Sequence, residues 1–413
     1  MQPSRSLHWP SVWQFALSGL SALGLLGLAV VLLSLGLVQV ADGTSASGQI
    51  TPTFLMSASM ALVGVLLIPS SAYALLRLLG KRLPSNSPSG AWQTIKTLSI
   101  LLWPLSLLTG NWIATHSALS WLLLPPLNLL AIGLPVWWLV ETGRRGLFSG
   151  SAQRQWGIFG AGAIASPVIV FIVEALALLG LMGVGALFVA SRPDWIEQIN
   201  RIAQRVINSN MDPEVVTRAL TPLLRQPGIV FAMLAFSAGL VPIIEESLKT
   251  LALWLLPKQG LTEIGGFTAG LISGAAFGLV ESLGFASNVA GSDWVTICIG
   301  RAGTGLLHML TAALMGWALV SAWQHKKYFR LGLTYTLAIF IHGLWNLLNL
   351  LMDATSLVYL PTSGLSNLIK EIGITAPVSL ILLIAVMLVI LWRSNRYLRA
   401  HAASQKSSSD SML

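Results

Sequence analysis

Long apolar runs recur along the whole of this sequence, and they constrain its fold more than any other feature. The chain has 413 residues, of which 54% are hydrophobic and only 9% are charged. Ordinary soluble domains contain about 25% charged residues. A run of about 20 apolar residues can cross a bilayer as one α-helix. The composition therefore predicts an all-α, polytopic membrane protein whose core is a helix bundle.

The apolar runs predict about ten transmembrane helices. Basic residues lie in alternate loops, as at Arg144 and Lys326, whereas loops 41–52, 112–118 and 290–296 contain no Lys or Arg. By the positive-inside rule, this alternation predicts that both termini are cytoplasmic. The predicted spans are 13–40, 53–79, 94–111, 119–141, 157–190, 229–256, 265–289, 297–323, 331–353 and 375–393.

The composition also excludes some partners and sites. The single cysteine, Cys298, excludes an intrachain disulfide and a cysteine-based metal cluster. The net charge of +9 is spread over short loops. No basic run with interleaved aromatic residues is present, so nucleic acid is not an expected partner. The lipid bilayer is the expected surrounding.

The chain shows no fixed-period repeat, but it divides by the distribution of its polar residues. We expect a four-helix membrane region over 1–155, a membrane core that carries most of the intramembrane polar residues over 156–353, and a last transmembrane helix with a polar tail over 354–413. Residues 401–413 are polar and are expected to be disordered.

One long loop, residues 191–228, carries both acids and arginines. Its first half has apolar residues at helical spacing, and its second half begins with Asp212 as an expected N-cap and Pro213 at the first helical position. The pattern predicts two amphipathic helices on the outer membrane surface. They could be a solvated connector, or a lid or docking element for a substrate.

Ionisable residues interrupt the later apolar runs. A charge at the bilayer centre costs about 3 kcal/mol on insertion scales, so such residues indicate function. In the sixth run, Glu245 and Lys249 are four residues apart and can pair, while Glu246 points about 100° away. Pro242 removes a backbone hydrogen bond and predicts a kink just before them.

The next three runs each carry a polar stripe. In the seventh, Gly270, Gly274 and Gly278 predict close helix packing, and Glu281 lies on the same stripe. The eighth and ninth runs contribute further polar residues at helical spacing: Arg301 and His308, then His342 and Asn346. The predicted topology places these groups at similar depth, so we expect one polar site near the midplane.

The residue types in these stripes suit the attack of water on an amide. A glutamate in a poorly hydrated pocket can act as a base near neutral pH, and histidine and asparagine can stabilise an oxyanion. Alternatives stay open. Glu281, His308 and His342 could form a two-histidine, one-glutamate zinc site. Buried carboxylates and histidines also serve proton-coupled transporters. An inactive scaffold that binds transmembrane helices is a third class.

The order of these motifs resembles the PrsW-type glutamic intramembrane proteases, which are related to the CAAX-processing and Abi group. The matching motifs are EESLK at 245–249, FGLVE at 277–281, a histidine at 308, and HGLWN at 342–346. His342 followed by Asn346 is closer to the CAAX-protease pattern. The resemblance covers 229–353.

The resemblance implies a protease in a bacterial plasma membrane, without a metal cofactor, that cleaves membrane-anchored proteins such as anti-sigma factors. On this hypothesis Glu245 or Glu246 activates water, and Glu246 is favoured because Glu245 is placed to pair with Lys249. His308 assists, and His342 and Asn346 stabilise the oxyanion. Glu281 would hold a histidine or share the proton. Lys249 and Arg301 would compensate the buried carboxylates.

Overall fold

A computed structural model describes residues 8–43, 47–81, 94–95, 98–224, 226–254, 260–288, 291, 293–356 and 364–410. Within these ranges the chain is almost entirely helical, and they contain no β-strand. The predicted all-α fold is therefore confirmed.

Fifteen α-helices of the described residues are used below: α1 Trp9–Asp42, α2 Ser47–Leu78, α3 Leu102–His116, α4 Ser120–Gly143, α5 Ala152–Gly160, α6 Ser166–Ala190, α7 Pro193–Asn208, α8 Pro213–Leu224, α9 Pro227–Ala235, α10 Val241–Leu248, α11 Leu251–Trp254, α12 Glu263–Ala286, α13 Trp294–His325, α14 Tyr328–Ser356 and α15 Gly364–Asp410. Two π-helical turns join consecutive helices: Ala161–Ala165 lies between α5 and α6, and Phe236–Leu240 lies between α9 and α10.

Nine segments of the described chain are long and apolar enough to cross a membrane, so the protein is an integral membrane protein. They are Trp9–Asp42, Ile50–Leu78, Ser120–Gly143, Ala152–Ala190, Pro227–Leu248, Glu263–Ala286, Trp294–His325, Tyr328–Thr355 and Ile369–Ala403. The sequence predicted about ten.

The difference lies in the third predicted span, 94–111. Its main helix, α3, has 15 residues and follows a short 3₁₀ turn at Ser99–Leu101. At 1.5 Å per residue, α3 is about 22 Å long, which is short of the hydrocarbon core. Pro104 lies in the first turn of α3, where its missing N–H costs nothing, so it favours a helix start at this point.

The loop 191–228 forms two helices, as predicted. They are α7 and α8, and the Asp212 carboxylate accepts a hydrogen bond from the Val215 backbone N–H at 3.2 Å. Asp212 is therefore the N-cap of α8. The tail differs from expectation, because α15 continues to Asp410. No Gly or Pro follows Pro377, so no residue type that ends helices interrupts this segment.

The described residues divide into two compact units. The first contains Met1–Val168, Leu248–Tyr335 and Val386–Leu413. Within this unit, α12 and α13 are the most buried of the candidate spans. Helices α2, α3 and α4 pack against this pair.

A seam of small residues holds α12 against α13. A Cβ atom added at Gly270 would collide with the carbonyl oxygen of Ala312, and one at Gly274 would collide with that of His308. Gly266 and Gly316 meet in the same way. The two backbones are thus too close for any larger side chain, which confirms the packing role predicted for Gly270 and Gly274.

Trp294 fixes the N-terminal end of α13 to the N-terminal helices. Its indole N–H donates to Asn128 Oδ1 at 3.0 Å, and both side chains are fully buried. The ring lies so close to Gly110 that a Cβ at that position would overlap it. A buried tryptophan needs a partner for its N–H, and α4 supplies one here.

The second unit contains Ile169–Ser247 and Thr336–Ala385. It includes α7, α8, α9, the second π-helical turn and most of α10 and α14. Helix α15 packs closely on α14 within this unit, because a Cβ at Gly373 would collide with the Leu351 carbonyl and the Thr355 side chain.

The glycine seam generates the first prediction. We expect Gly274→Ala to lower the free energy of unfolding by about 1–3 kcal/mol, because the new methyl group overlaps the His308 carbonyl. Gly284→Ala is the matched control, since Gly284 lies on the same helix with open space around it. Thermal unfolding of the purified protein in detergent measures both. Equal midpoints for the two variants would contradict the packing described here.

Candidate active site

In the first unit, His308 is held by a carboxylate. Its Nε2 atom lies 2.6 Å from Glu281 Oε2, and the other carboxylate oxygen lies 2.9 Å from an Arg301 guanidinium nitrogen. His308 is buried, and Arg301 is nearly so. The structure therefore brings together three of the predicted site residues, and it places the expected cation beside the carboxylate of Glu281.

The FGLVE motif surrounds this histidine with three different contacts. The Phe277 ring meets the His308 ring edge-on, with centroids 5.0 Å apart. A Cβ at Gly278 would lie only 3.2 Å from His308 Cδ2, so no other residue fits without displacing the ring. Glu281, one turn further, binds the imidazole. The motif thus sets both the position and the orientation of His308.

Arg301 is anchored by residues of α12. Its Nε atom donates to Ser282 Oγ at 3.2 Å, and its guanidinium carbon lies 5.4 Å from the centre of the Phe285 ring. These contacts hold the guanidinium beside Glu281. Sequence reasoning missed Ser282 and Phe285, although both follow Glu281 within four residues of α12.

Lys249 is fully buried in the turn that follows α10. Its Nζ atom donates to Thr311 Oγ1 at 2.6 Å, and its backbone carbonyl accepts from Ser273 Oγ at the same distance. Thr311 lies one turn after His308 on α13. The pairing of Lys249 with Glu245 stays a prediction, whereas Thr311 is a partner that the sequence did not indicate.

In the second unit, His342 lies between two buried carboxylates. Its Nδ1 atom is 2.8 Å from Glu246 Oε1, and its Nε2 atom is 3.9 Å from Glu245 Oε2. All three side chains are at least nine-tenths buried. Of the two glutamates, Glu246 is therefore the one that hydrogen-bonds directly to His342, and its side chain is fully buried.

The two glutamates follow the π-helical turn Phe236–Leu240. Within this turn the Val241 N–H donates to the Phe236 carbonyl, five residues back. In the same register, the Ser237 carbonyl would receive its hydrogen bond from residue 242. That residue is Pro242, which has no N–H. The predicted break near Pro242 is confirmed, and it takes the form of a π-helical turn.

The HGLWN motif compensates this break. Asn346 Nδ2 donates to the Ser237 carbonyl at 2.9 Å and so replaces the donor that Pro242 lacks. Gly343 lies so close to the Ala238 carbonyl that a Cβ there would overlap it. His342, one turn before Asn346, binds Glu246. The motif therefore docks α14 on the π-helical turn and sets the histidine beside the carboxylate.

The donor types in these pairs fit a divalent metal such as zinc. Imidazole nitrogens and carboxylate oxygens are ordinary zinc ligands, and a zinc-bound histidine usually gives its second ring nitrogen to a carboxylate. His342 has this arrangement, with Nδ1 on Glu246 and Nε2 facing Glu245. Glu281 orients the His308 ring similarly. The residues are thus chemically compatible with both metal-free and metal-assisted hydrolysis.

The fold and these buried pairs define a polytopic membrane protein with acid–base groups set among apolar helices. A family model described as PrsW family intramembrane metalloprotease matches residues 152–391, which is more than half of the chain. The chain belongs to the PrsW family, as its motifs predicted. Intramembrane proteolysis is therefore its class of activity. The relation to the CAAX-processing and Abi group stays a prediction.

Comparison with the curated proteins and with the solved structures found no match. The description of the family as metalloproteases differs from the metal-free mechanism that the sequence motifs suggested.

The link between Pro242 and Asn346 gives the second prediction. Asn346→Leu leaves the Ser237 carbonyl without its donor, and we expect a loss of about 1–3 kcal/mol in the free energy of unfolding. In a Pro242→Ala background the loss should be smaller, because residue 242 then carries an N–H. A double-mutant cycle of thermal unfolding measures this coupling.

Asn349→Leu is the control for this cycle. Asn349 lies on the same helix, and its amide donates to the Trp345 carbonyl within that helix, so this change should show no coupling to Pro242. An Asn346 loss that is the same in both backgrounds would contradict the assignment.

Proposed function

We propose that the protein hydrolyses a peptide bond in membrane-anchored protein substrates, with Glu246 as the base that activates water. The observation that carries this proposal is the direct hydrogen bond between buried Glu246 and His342, within the region that the family model matches. A carboxylate with an imidazole partner can take up a proton and pass it on, as general acid–base catalysis requires.

In the proposed reaction, the proton that Glu246 takes from water is later given to the leaving amine, so the site gains no net proton. Water attacks the carbonyl carbon of the scissile bond while Glu246 takes one of its protons. The tetrahedral intermediate then collapses as the C–N bond breaks, and the proton passes to the leaving amine. His342 holds the Glu246 carboxylate in place and stabilises the negative charge on the substrate oxygen.

Three features support Glu246 over Glu245 as the base. Glu246 is fully buried, it makes the 2.8 Å contact with His342, and Glu245 is 3.9 Å from the ring. We assign Glu245 a supporting role.

We propose that His308 assists proton transfer and that Glu281 and Arg301 position it. The support is their contact geometry in the first unit, where both carboxylate oxygens of Glu281 are engaged. Lys249 compensates the negative charge of the buried glutamates. Asn346 gives one amide hydrogen to Ser237, and its other amide hydrogen is the one we assign to the oxyanion.

The proposed substrates are proteins with a transmembrane anchor, of the anti-sigma factor type, in a bacterial plasma membrane. Family membership and the candidate spans support a membrane-anchored substrate. The strongly amphipathic helix α7 offers a surface on which the part of a substrate outside the membrane could dock.

A zinc-dependent protease is the second candidate, and the description of the family as metalloproteases favours it. Its ligands would come from the set predicted from the sequence, His308, His342 and Glu281. A bound zinc ion would lower the pKa of a water molecule to about 7 and polarise the substrate carbonyl. The chain's own residues would still orient the histidine rings and exclude bulk water.

The third prediction tests the protease activity in proteoliposomes with a single-span substrate. Glu246→Gln and His308→Ala should each lower the cleavage rate by about 10²–10⁴-fold, because each removes a group that moves a proton. Glu371→Gln is the control, since Glu371 is exposed on α15 and belongs to none of the proposed catalytic or docking residues. It should cleave at the normal rate.

Gel filtration and thermal unfolding establish that each variant is folded. Full cleavage by both folded variants would rule out the proposed roles. Substrate-dependent proton flux without cleavage would instead indicate a transporter, and binding of the substrate without cleavage by the unaltered chain would indicate a scaffold.

A further inference from the structure

A surface cleft of about 290 Å³ lies in the first unit, apart from all the residues proposed for proteolysis. Its walls come from the first turns of α12, the last third of α13 and the segment of α15 that follows the last apolar run. The lining residues are Phe267, Trp317, Arg393, Ser394, Tyr397 and Leu398.

The lining of the cleft combines apolar and polar residues. Phe267 and Leu398 are buried apolar side chains, and Trp317 adds the face of an indole ring. Arg393, Ser394 and Tyr397 add a guanidinium and two hydroxyl groups to the lining. Such a cleft suits a ligand that has a hydrocarbon part and an anionic head.

The aromatic wall is held in place before any ligand arrives. Trp317 Nε1 donates to Glu263 Oε2 at 2.9 Å, and the Arg330 guanidinium carbon lies 4.6 Å from the centre of the Trp317 ring. The Tyr397 ring meets Trp317 edge-on, with centroids 6.3 Å apart. Binding would therefore cost little ordering of these side chains.

The charge at the cleft is positive. Glu263, the nearby carboxylate, accepts from Ser321 at 2.6 Å and lies 3.6 Å from an Arg330 nitrogen, so its charge is compensated. Arg393 is exposed, and no carboxylate pairs with it among the residues that the structure describes. Its guanidinium is therefore available to an anion that enters the cleft.

The position of the cleft, at the end of the apolar run of α15, indicates the chemical class of the anion. Arg393 directly follows the apolar run of α15, and the neighbouring side chains Val386, Val389 and Trp392 are exposed apolar groups suited to lipid tails. Basic pockets between transmembrane helices at a membrane surface bind the head groups of anionic lipids. We infer that this cleft binds an anionic phospholipid, with its phosphate on Arg393, Ser394 and Tyr397 and its chains along α15.

The test uses native mass spectrometry of the full chain, purified in detergent with equal amounts of phosphatidylglycerol and phosphatidylcholine. The unaltered protein should retain phosphatidylglycerol preferentially. Arg393→Gln should weaken this retention by about fivefold, as expected for the loss of one cation near the surface. Arg396→Gln is the matched control, because its guanidinium lies over the Trp392 ring, 4.7 Å from the centroid, outside the cleft. It should retain the lipid normally.

Three results would overturn the inference. One is equal retention of the two lipids by the unaltered protein. Another is an equal loss in Arg393→Gln and Arg396→Gln, which would indicate general attraction to the basic surface. The third is displacement of the lipid by excess inorganic phosphate, which would assign the cleft to a soluble anion. The proteolysis assay is independent of all three, because no cleft residue belongs to the proposed catalytic set.

Discussion

Buried polar groups must find partners inside the protein, because water and lipid tails cannot supply them within the membrane. This constraint accounts for the main features of both units. Buried His308 binds Glu281, buried Glu246 binds a histidine, and buried Lys249 binds Thr311. The same constraint applies to the backbone, because Asn346 supplies the hydrogen bond that Pro242 cannot give to the Ser237 carbonyl. The groups that could do chemistry are thereby fixed in orientation.

Close helix packing makes these pairings possible. The glycine seam brings α12 and α13 together so that Phe277, Gly278 and Glu281 can all touch His308. Gly343 does the same for α14 at the π-helical turn. The N-terminal helices support the first of these arrangements, since Trp294 at the start of α13 is tied to Asn128. Residues outside the family match thus hold one end of a helix that carries a proposed catalytic residue.

Much of this could be predicted from the sequence, because long apolar runs, glycine spacing and charge placement are local signals. They gave the helical fold, the two amphipathic helices, the N-cap Asp212 and the glycine seam. The hydrogen bond between Glu281 and His308 is compatible with the role that the resemblance implied for Glu281. The third predicted span, 94–111, is not among the nine candidate spans of the described residues, where a 3₁₀ turn precedes the 15-residue helix α3.

Partners far apart in the chain escaped prediction. Pro242 predicted a break in the helix. The π-helical hydrogen-bond pattern, in which the Ser237 carbonyl accepts from Asn346 instead of from residue 242, depends on tertiary contact with α14. The hydrogen bond between Lys249 and Thr311 also depends on how two helices pack, and the periodicity of the sequence does not indicate it. The roles in hydrolysis and the use of a metal depend on the reaction itself.

The most direct test of the central claim measures metal content and cleavage rate on the same reconstituted preparation. If Glu246 and His342 activate water by themselves, the rate per chain will be unchanged when zinc and other transition metals are stripped to well below one ion per chain. A rate that falls in proportion to the remaining metal, and returns when zinc is added, would contradict the metal-free mechanism.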